Sequence, residues 1–269
     1  MRTLHIIMPM AGEGSRFKDA GYDTPKPLIK VEGKELYRHA LESIDVNKYC
    51  GYEDKIPIKY TFIIRKEFIT DYNIDVEIKK YYPDANIISV EKTTRGALET
   101  LMLAEPYIDD EEYVVSIDCD IKFECNSYMN SIRNRCIYDN ISHIPMVLSF
   151  YSKSPIYSYA HPVLKNSHSD YADYLAEKNP ISNYALCGCY CLGLGKNLKI
   201  AAKQYIDDFE NGYIQTKELY MSLVINYIKN ITNSWIQLVD MNFHYDHYWS
   251  LGTPYDLEHY TKEKNIWDE

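Results

Sequence analysis

Short apolar runs that alternate with amphipathic segments of helical period constrain this chain more than any other feature. Residues 4–9 read as a buried strand, and 60–64, 86–90, 113–117 and 144–151 as further strands. Between them, residues 34–44 carry Leu36, Tyr37, Ala40, Leu41 and Ile44 on one helical face, and residues 74–82, 96–104 and 127–138 also read as helices. That alternation predicts an α/β fold with a Rossmann-like mixed, mostly parallel sheet flanked by helices. The second half changes character. Residues 157–164, 171–177 and 185–192 read as strands joined by turns, followed by helices at 198–209 and 217–229 and a strand at 235–241. Thr253 and Pro254 suit the N-cap and first position of a last helix. No linker composition divides the chain, so a single domain over 1–269 is expected.

Composition removes several function classes. Hydrophobic residues make up 46% and charged residues 25%, which excludes a disordered or fibrous chain. A formal net charge of −10 leaves no broad basic surface for nucleic acid or an anionic membrane. Membrane insertion is not expected either, because no apolar stretch approaches the roughly 18 residues needed to span a bilayer. The opening MRTLHIIMPMAG breaks at Pro9 and does not read as a secretory leader. The 7 cysteines are scattered, so a reducing cytoplasm is the expected compartment. Cys187, Cys189 and Cys191 alternate onto one face of a strand, where packing explains them better than metal binding. His244 and His247, either side of Asp246, also read as structural.

The first strand empties into Met10-Ala11-Gly12-Glu13-Gly14-Ser15-Arg16-Phe17. Ligands of α/β sheets sit beyond the carboxyl ends of strands, and glycines there let backbone N–H groups approach phosphates. The spelling is neither a Walker A loop nor a three-glycine dinucleotide fingerprint. Arg16, in the loop, instead supplies a forked permanent charge suited to polyphosphate. Pro25-Lys26-Pro27-Leu28 then fixes a lysine between two prolines. The fourth strand runs directly into Asp118-Cys119-Asp120, hard oxygen donors at a strand end.

G-x-G-S-R-F followed by P-K-P-L resembles the signature of the sugar-phosphate nucleotidyltransferases, with a spelling close to cytidylyltransferase-like members. These enzymes join an NTP to a phosphorylated acceptor and release pyrophosphate. The resemblance extends further. Thr94-Arg95-Gly96-Ala97 is similar to the loop that receives base and ribose, and Asp118 falls at the aspartate that holds Mg²⁺, with Asp120 beside it. Glu177-Lys178 resembles the element that grips the acceptor's sugar and phosphate. Ser182-Asn183-Tyr184-Ala185, followed by Gly188, is similar to the strand behind it. The resemblance implies nucleotide contacts from Met10, Ala11, Gly12, Glu13, Gly14, Ser15, Thr94, Gly96 and Ala97. It implies acceptor contacts from Glu177, Lys178, Tyr184 and Gly188, and catalytic roles for Arg16 and Lys26. Residues 1–150 would then serve the nucleotide and 151–269 the acceptor.

One departure stands out: Trp249-Ser250-Leu251-Gly252-Thr253 carries Ser250 where the family commonly has a second metal-binding Asp, for which Asp246 or Asp120 could substitute. The A-G-x-G-S-R-F spelling leans towards CTP, with a choline- or amino-acid-type phosphate. The Glu-Lys and Ser-Asn-Tyr-Ala elements lean towards a sugar 1-phosphate. Surface-glycan or capsule precursor synthesis follows from the family, and a homo-oligomer is left open. Two other classes fit parts of the pattern: a glycosyltransferase of the related fold using Asp118-x-Asp120, and a non-catalytic nucleotide-sugar sensor.

Overall fold

A computed structural model describes residues 1–48, 51, 54–163, 169–241 and 246–267, so the reading of His244 and the end of the strand at 157–164 lie outside the described residues. The strands are β1 (Leu4–Met10), β2 (Lys30–Val31), β3 (Lys34–Glu35), β4 (Ile58–Arg65), β5 (Asn86–Val90), β6 (Tyr113–Ile117), β7 (Ile121–Glu124), β8 (Met146–Tyr151), β9 (Tyr159–Pro162), β10 (Tyr171–Ala176), β11 (Tyr184–Leu194), β12 (Ile236–Asp240) and β13 (His247–Ser250). The helices are α1 (Ser15–Asp19), α2 (Leu36–Ser43), α3 (Lys66–Tyr72), α4 (Ile74–Tyr81), α5 (Ala97–Met102), α6 (Asn126–Ile137), α7 (Gly195–Glu210), α8 (Met221–Thr232) and α9 (Pro254–Trp267). No helix among the described residues is long and apolar enough to cross a membrane.

A nine-stranded mixed sheet runs in the order β5-β4-β1-β6-β11-β8-β12-β10-β9. The expected parallel sheet holds for β5, β4, β1 and β6. Beyond β6 it does not: β11 is antiparallel to both β6 and β8, and β10 is antiparallel to both β12 and β9, while β8 and β12 are parallel. Of these pairs only β9 and β10 follow one another directly, and a short connection between paired strands has to return antiparallel. The last strand, β9, also pairs back onto β11 through Tyr159 and Ala185, closing a circuit of pairings over the second half.

Central strands must be apolar on both faces. In β1, Leu4, Ile6, Met8 and Met10 join the core beneath α2, α3, α4 and α6, whereas Ile7 joins the opposite core with α5, α7 and α8. Cys187, Cys189 and Cys191 are all buried in the first of these cores, as packing residues. A third, smaller core gathers Phe17, Ile29, Val31, Leu36, Leu251, Leu257 and Tyr260, and so ties α1 and the β2–β3 hairpin to α9. Thr253 caps α9 as expected, its Oγ1 accepting from the Asp256 N–H at 3.1 Å.

One polar group interrupts β1. His5 is fully buried, with Nδ1 3.0 Å from Glu112 Oε2 and Nε2 2.8 Å from Thr61 Oγ1. Glu112 also accepts from Lys59 Nζ at 2.8 Å and from the Asp109 N–H at 3.1 Å. Burial opposes its charge, but these donors outweigh burial and hold the carboxyl down to about 2. A depressed folded pKa stabilises the protein above the carboxyl's ordinary value, a gain lost as pH falls through that value towards about 2. Glu112→Gln should therefore cost about 2–3 kcal/mol in urea unfolding at neutral pH. It should also flatten the acid limb of the stability curve.

Candidate active site

The chain leaves β1 at Met10 and turns at Gly14, which has φ +65°, into α1. Arg16, expected in a loop, is the second residue of this one-turn helix; it is exposed, and no ion-pair partner for it is present among the described residues. Phe17, buried in the small core, anchors the turn from below. A Cβ on Gly14 would lie 3.3 Å from the Lys26 Cβ, so the loop packs directly against the lysine's stem. Lys26 opens the turn Lys26–Leu28, where Pro27 supplies φ without needing a donor. Its ammonium meets Asp120 Oδ2 at 2.5 Å. Burial works against that charge, yet Asp120, Cys119 and Asp118 together raise the Lys26 pKa.

Asp118 follows the end of β6, and its N–H donates to the Gly188 carbonyl at 2.9 Å. Gly188 occupies the irregularity of β11, between the stretch paired with β9 and the stretch paired with β6. Its φ is +90°, and an added Cβ would stand 2.5 Å from Asp118 Oδ2. A glycine here supplies both the bend and the space for the carboxylate. Burial, then the like charge of Asp120, pushes Asp118 up to about 7; Lys26 pulls the other way, and Glu177 adds to the rise. Gly12, Gly14, Arg16, Lys26, Asp118 and Asp120 line one cleft of about 280 Å³ at the carboxyl ends of β1 and β6.

Thr94, Gly96 and Ala97 lie in the loop after β5 and at the start of α5, at the same end of the sheet. The Thr94 hydroxyl donates to the Gly96 carbonyl at 3.1 Å. Gly96 is required by close approach, since a Cβ would sit 2.5 Å from the Leu219 carbonyl oxygen. Arg65, at the end of β4, was not singled out from the sequence. Its NH1 donates to Thr93 Oγ1 at 3.3 Å and lies 4.0 Å from Glu13 Oε1, tying the first glycine loop to this second one. A basic residue ending a parallel strand was the available signal.

Glu177 and Lys178 diverge. Glu177 Oε2 accepts from the hydroxyls of Ser158 and Ser222, the latter at 2.7 Å, and its charge is felt at Asp118. Lys178 is exposed, at φ +50°, with its ammonium 4.9 Å from the centre of the Tyr220 ring. Tyr184, at the start of β11, lines a different and larger groove of about 770 Å³, with Glu42, Glu124, Asp170, Asp240 and Asp246 among its other walls. So many carboxylates disfavour phosphate there, although Lys48 also lines the groove. Asp246 lines that groove too, accepting from Cys125 Sγ at 3.3 Å. Ser250, where the resemblance expects a second aspartate, donates to Asp256 Oδ2 at 3.1 Å. Gly252 meanwhile brings the backbone so close to Asp120 that a Cβ would lie 2.6 Å from Oδ2.

Asp118 and Asp120 are the residues that could hold a metal. Both carboxylates line one cleft, and burial with the like charge of its neighbour pushes Asp118 up to about 7. Among the described residues no cluster of three or more His, Cys, Asp or Glu could hold a metal.

No family model matches the chain. The bifunctional protein GlmU of Methanocaldococcus jannaschii is 29% identical over 122 residues, which is 45% of this chain and 26% of that protein, so the likeness spans about a quarter of the relative's length. Solved structures align over nearly the whole chain. The nucleoside-diphosphate-sugar pyrophosphorylase from Vibrio cholerae RC9 superposes with TM-score 0.72 at 21% identity, covering 96% of this chain and 99% of that one. The inositol-1-phosphate CTP transferase from T. maritima gives 0.67 at 14%, covering 96% and 93%. A UDP-glucose pyrophosphorylase from Acinetobacter baumanii gives 0.65 at 12%, covering 96% and 92%. The chain thus has the mixed α/β fold of the sugar nucleotidyltransferases, and its structural neighbours are enzymes of that kind.

Proposed function

We propose that this protein is a nucleotidyltransferase that joins an NTP to a phosphorylated small-molecule acceptor and releases pyrophosphate. The observation that carries the reading is the ion pair of Lys26 with Asp120, in the cleft that Asp118, the glycine loop and Arg16 also line. An acceptor phosphate oxygen attacks the α-phosphorus, and the bond from that phosphorus to the β-phosphate oxygen breaks. The nucleophile is already an anion, so no base has to activate it. The obstacle is repulsion between polyanions, about 4 kcal/mol per pair of unit charges 4 Å apart at an effective dielectric near 20. Catalysis is then alignment and charge neutralisation.

Met10, Ala11, Gly12, Glu13, Gly14 and Ser15 cradle the triphosphate, with Arg16 on the departing pyrophosphate and Lys26 on the α-phosphate. Thr94, Gly96 and Ala97 receive base and ribose, while Glu177 and Lys178 hold the acceptor. Mg²⁺ on Asp118 and Asp120 supplies Lewis-acid neutralisation of phosphate charge when bound. CTP is the preferred nucleotide in this reading, the acceptor is a sugar 1-phosphate or a choline- or amino-acid-type phosphate, and the first 150 residues form the nucleotide side of a single domain. The setting in this reading is cytoplasmic synthesis of surface-glycan precursors.

The test is a pyrophosphate-release screen of the four ribo-NTPs and dTTP against phosphorylated acceptors. At least one pair should turn over with Mg²⁺ and stop in EDTA. Full turnover in chelator would remove the metal role of Asp118 and Asp120. Glycosyl transfer from a nucleotide sugar without pyrophosphate release would replace the proposal altogether.

A further inference from the structure

The segment that leads into α8, with the helix's first turn, touches three parts of the site with nearly consecutive residues. Leu219 donates its N–H to the Arg95 carbonyl at 2.9 Å and accepts from the Leu98 N–H at 3.0 Å, clamping it to the loop around Gly96. Tyr220 turns its ring beneath the Lys178 ammonium at 4.9 Å, and its own N–H donates to the Tyr205 hydroxyl at 3.3 Å. Ser222 donates to Glu177 Oε2 at 2.7 Å. Lys178 has no ion-pair partner among the described residues, and its flexible stem carries much rotamer entropy. Among the described residues, the aromatic face of Tyr220 is the feature that holds this ammonium in place.

We infer that Tyr220 is a positioning residue for Lys178. It presents the ammonium to a phosphate-bearing acceptor and keeps it in register with the nucleotide loop through Leu219. This rests on the acceptor role of Lys178 in the proposed function. Because the ring face does the holding, phenylalanine should serve as well as tyrosine, while leucine should not.

The test combines turnover with a readout that needs none. Lys178 is labelled with an N-hydroxysuccinimide ester and followed by peptide mass spectrometry, with inorganic phosphate, glucose 1-phosphate and phosphocholine as protecting anions. In Tyr220→Leu, labelling should accelerate and half-protection should need about 2- to 5-fold more anion, with acceptor KM rising by the same factor. Its kcat and NTP KM should stay within about twofold, and Tyr220→Phe should match the parent protein throughout. Protection of Lys178 by none of the three anions, or equal labelling and protection in the leucine variant, overturns the inference. So does a phenylalanine variant that behaves like leucine. An absence of pyrophosphate release by the unaltered protein would instead count against the proposed reaction, while the labelling arm still decides whether Tyr220 positions Lys178.

Discussion

Lys26→Ala should lower turnover about 10² to 10³-fold with every acceptor, a loss of about 3–4 kcal/mol of transition-state stabilisation. Lys26 is the cation that meets Asp120, at 2.5 Å, in a cleft where Asp118 already sits at about 7 because of burial and its neighbour. Removing the ammonium leaves both carboxylates facing each other and any incoming phosphate. The effect should fall on kcat for all substrates, because the lysine adjoins the glycine loop rather than the acceptor residues. Lys26→Arg should recover little of it, since a planar fork does not reproduce the contact a compact ammonium makes with Asp120 Oδ2. Initial rates of pyrophosphate release measure it, with circular dichroism confirming the fold. A rate within tenfold of the parent's would place Lys26 outside the chemistry.

Gly188→Ala should damage both stability and rate. A side chain at φ +90° costs about 1–3 kcal/mol in backbone strain, before any contact is counted. The new methyl would also stand 2.5 Å from Asp118 Oδ2, so the carboxylate has to swing away from the position it shares with Asp120. Urea unfolding should show a loss of about 2–4 kcal/mol, and turnover should fall about 100-fold. Gly212→Ala separates the two causes. Gly212 has φ +73° with nothing within 4 Å of an added Cβ, so it should lose about 1 kcal/mol and keep its activity. Equal effects on rate at both glycines would show that strain alone, and not displacement of Asp118, is at work.

The strands of the first half were legible because their apolar runs face two cores at once: residues 86–90 and 113–117 were placed with the bounds observed. Helix α3 was not, because Phe68 is its one fully buried side chain and, with Ile69 beside it, makes no helical period. Strand β7 pairs with β13 from Glu124 to His247, a partnership that no local pattern records. The site divides the same way. The glycine loop, Lys26 and Asp118 line one cleft, the loop and Asp118 because each follows a parallel strand. The reason for Gly188 lay in its register against Asp118, and Tyr184, four residues earlier, faces the acidic groove instead.

The seam between β6 and β11 has a consequence for synthesis. Tyr113, Val114, Val115 and Ile117 are fully buried in the folded chain, and β11 covers their open side, with Ile117 opposite Cys189 and Tyr113 opposite Leu194. A ribosome therefore makes four parallel strands well before the segment that covers them. Until residue 194 has emerged, the growing polypeptide presents a flat apolar edge of unpaired N–H and C=O groups, a template for aggregation. A fragment ending after β8 should accordingly collect in inclusion bodies or on chaperones, although it carries Lys26, Asp118 and the whole glycine loop.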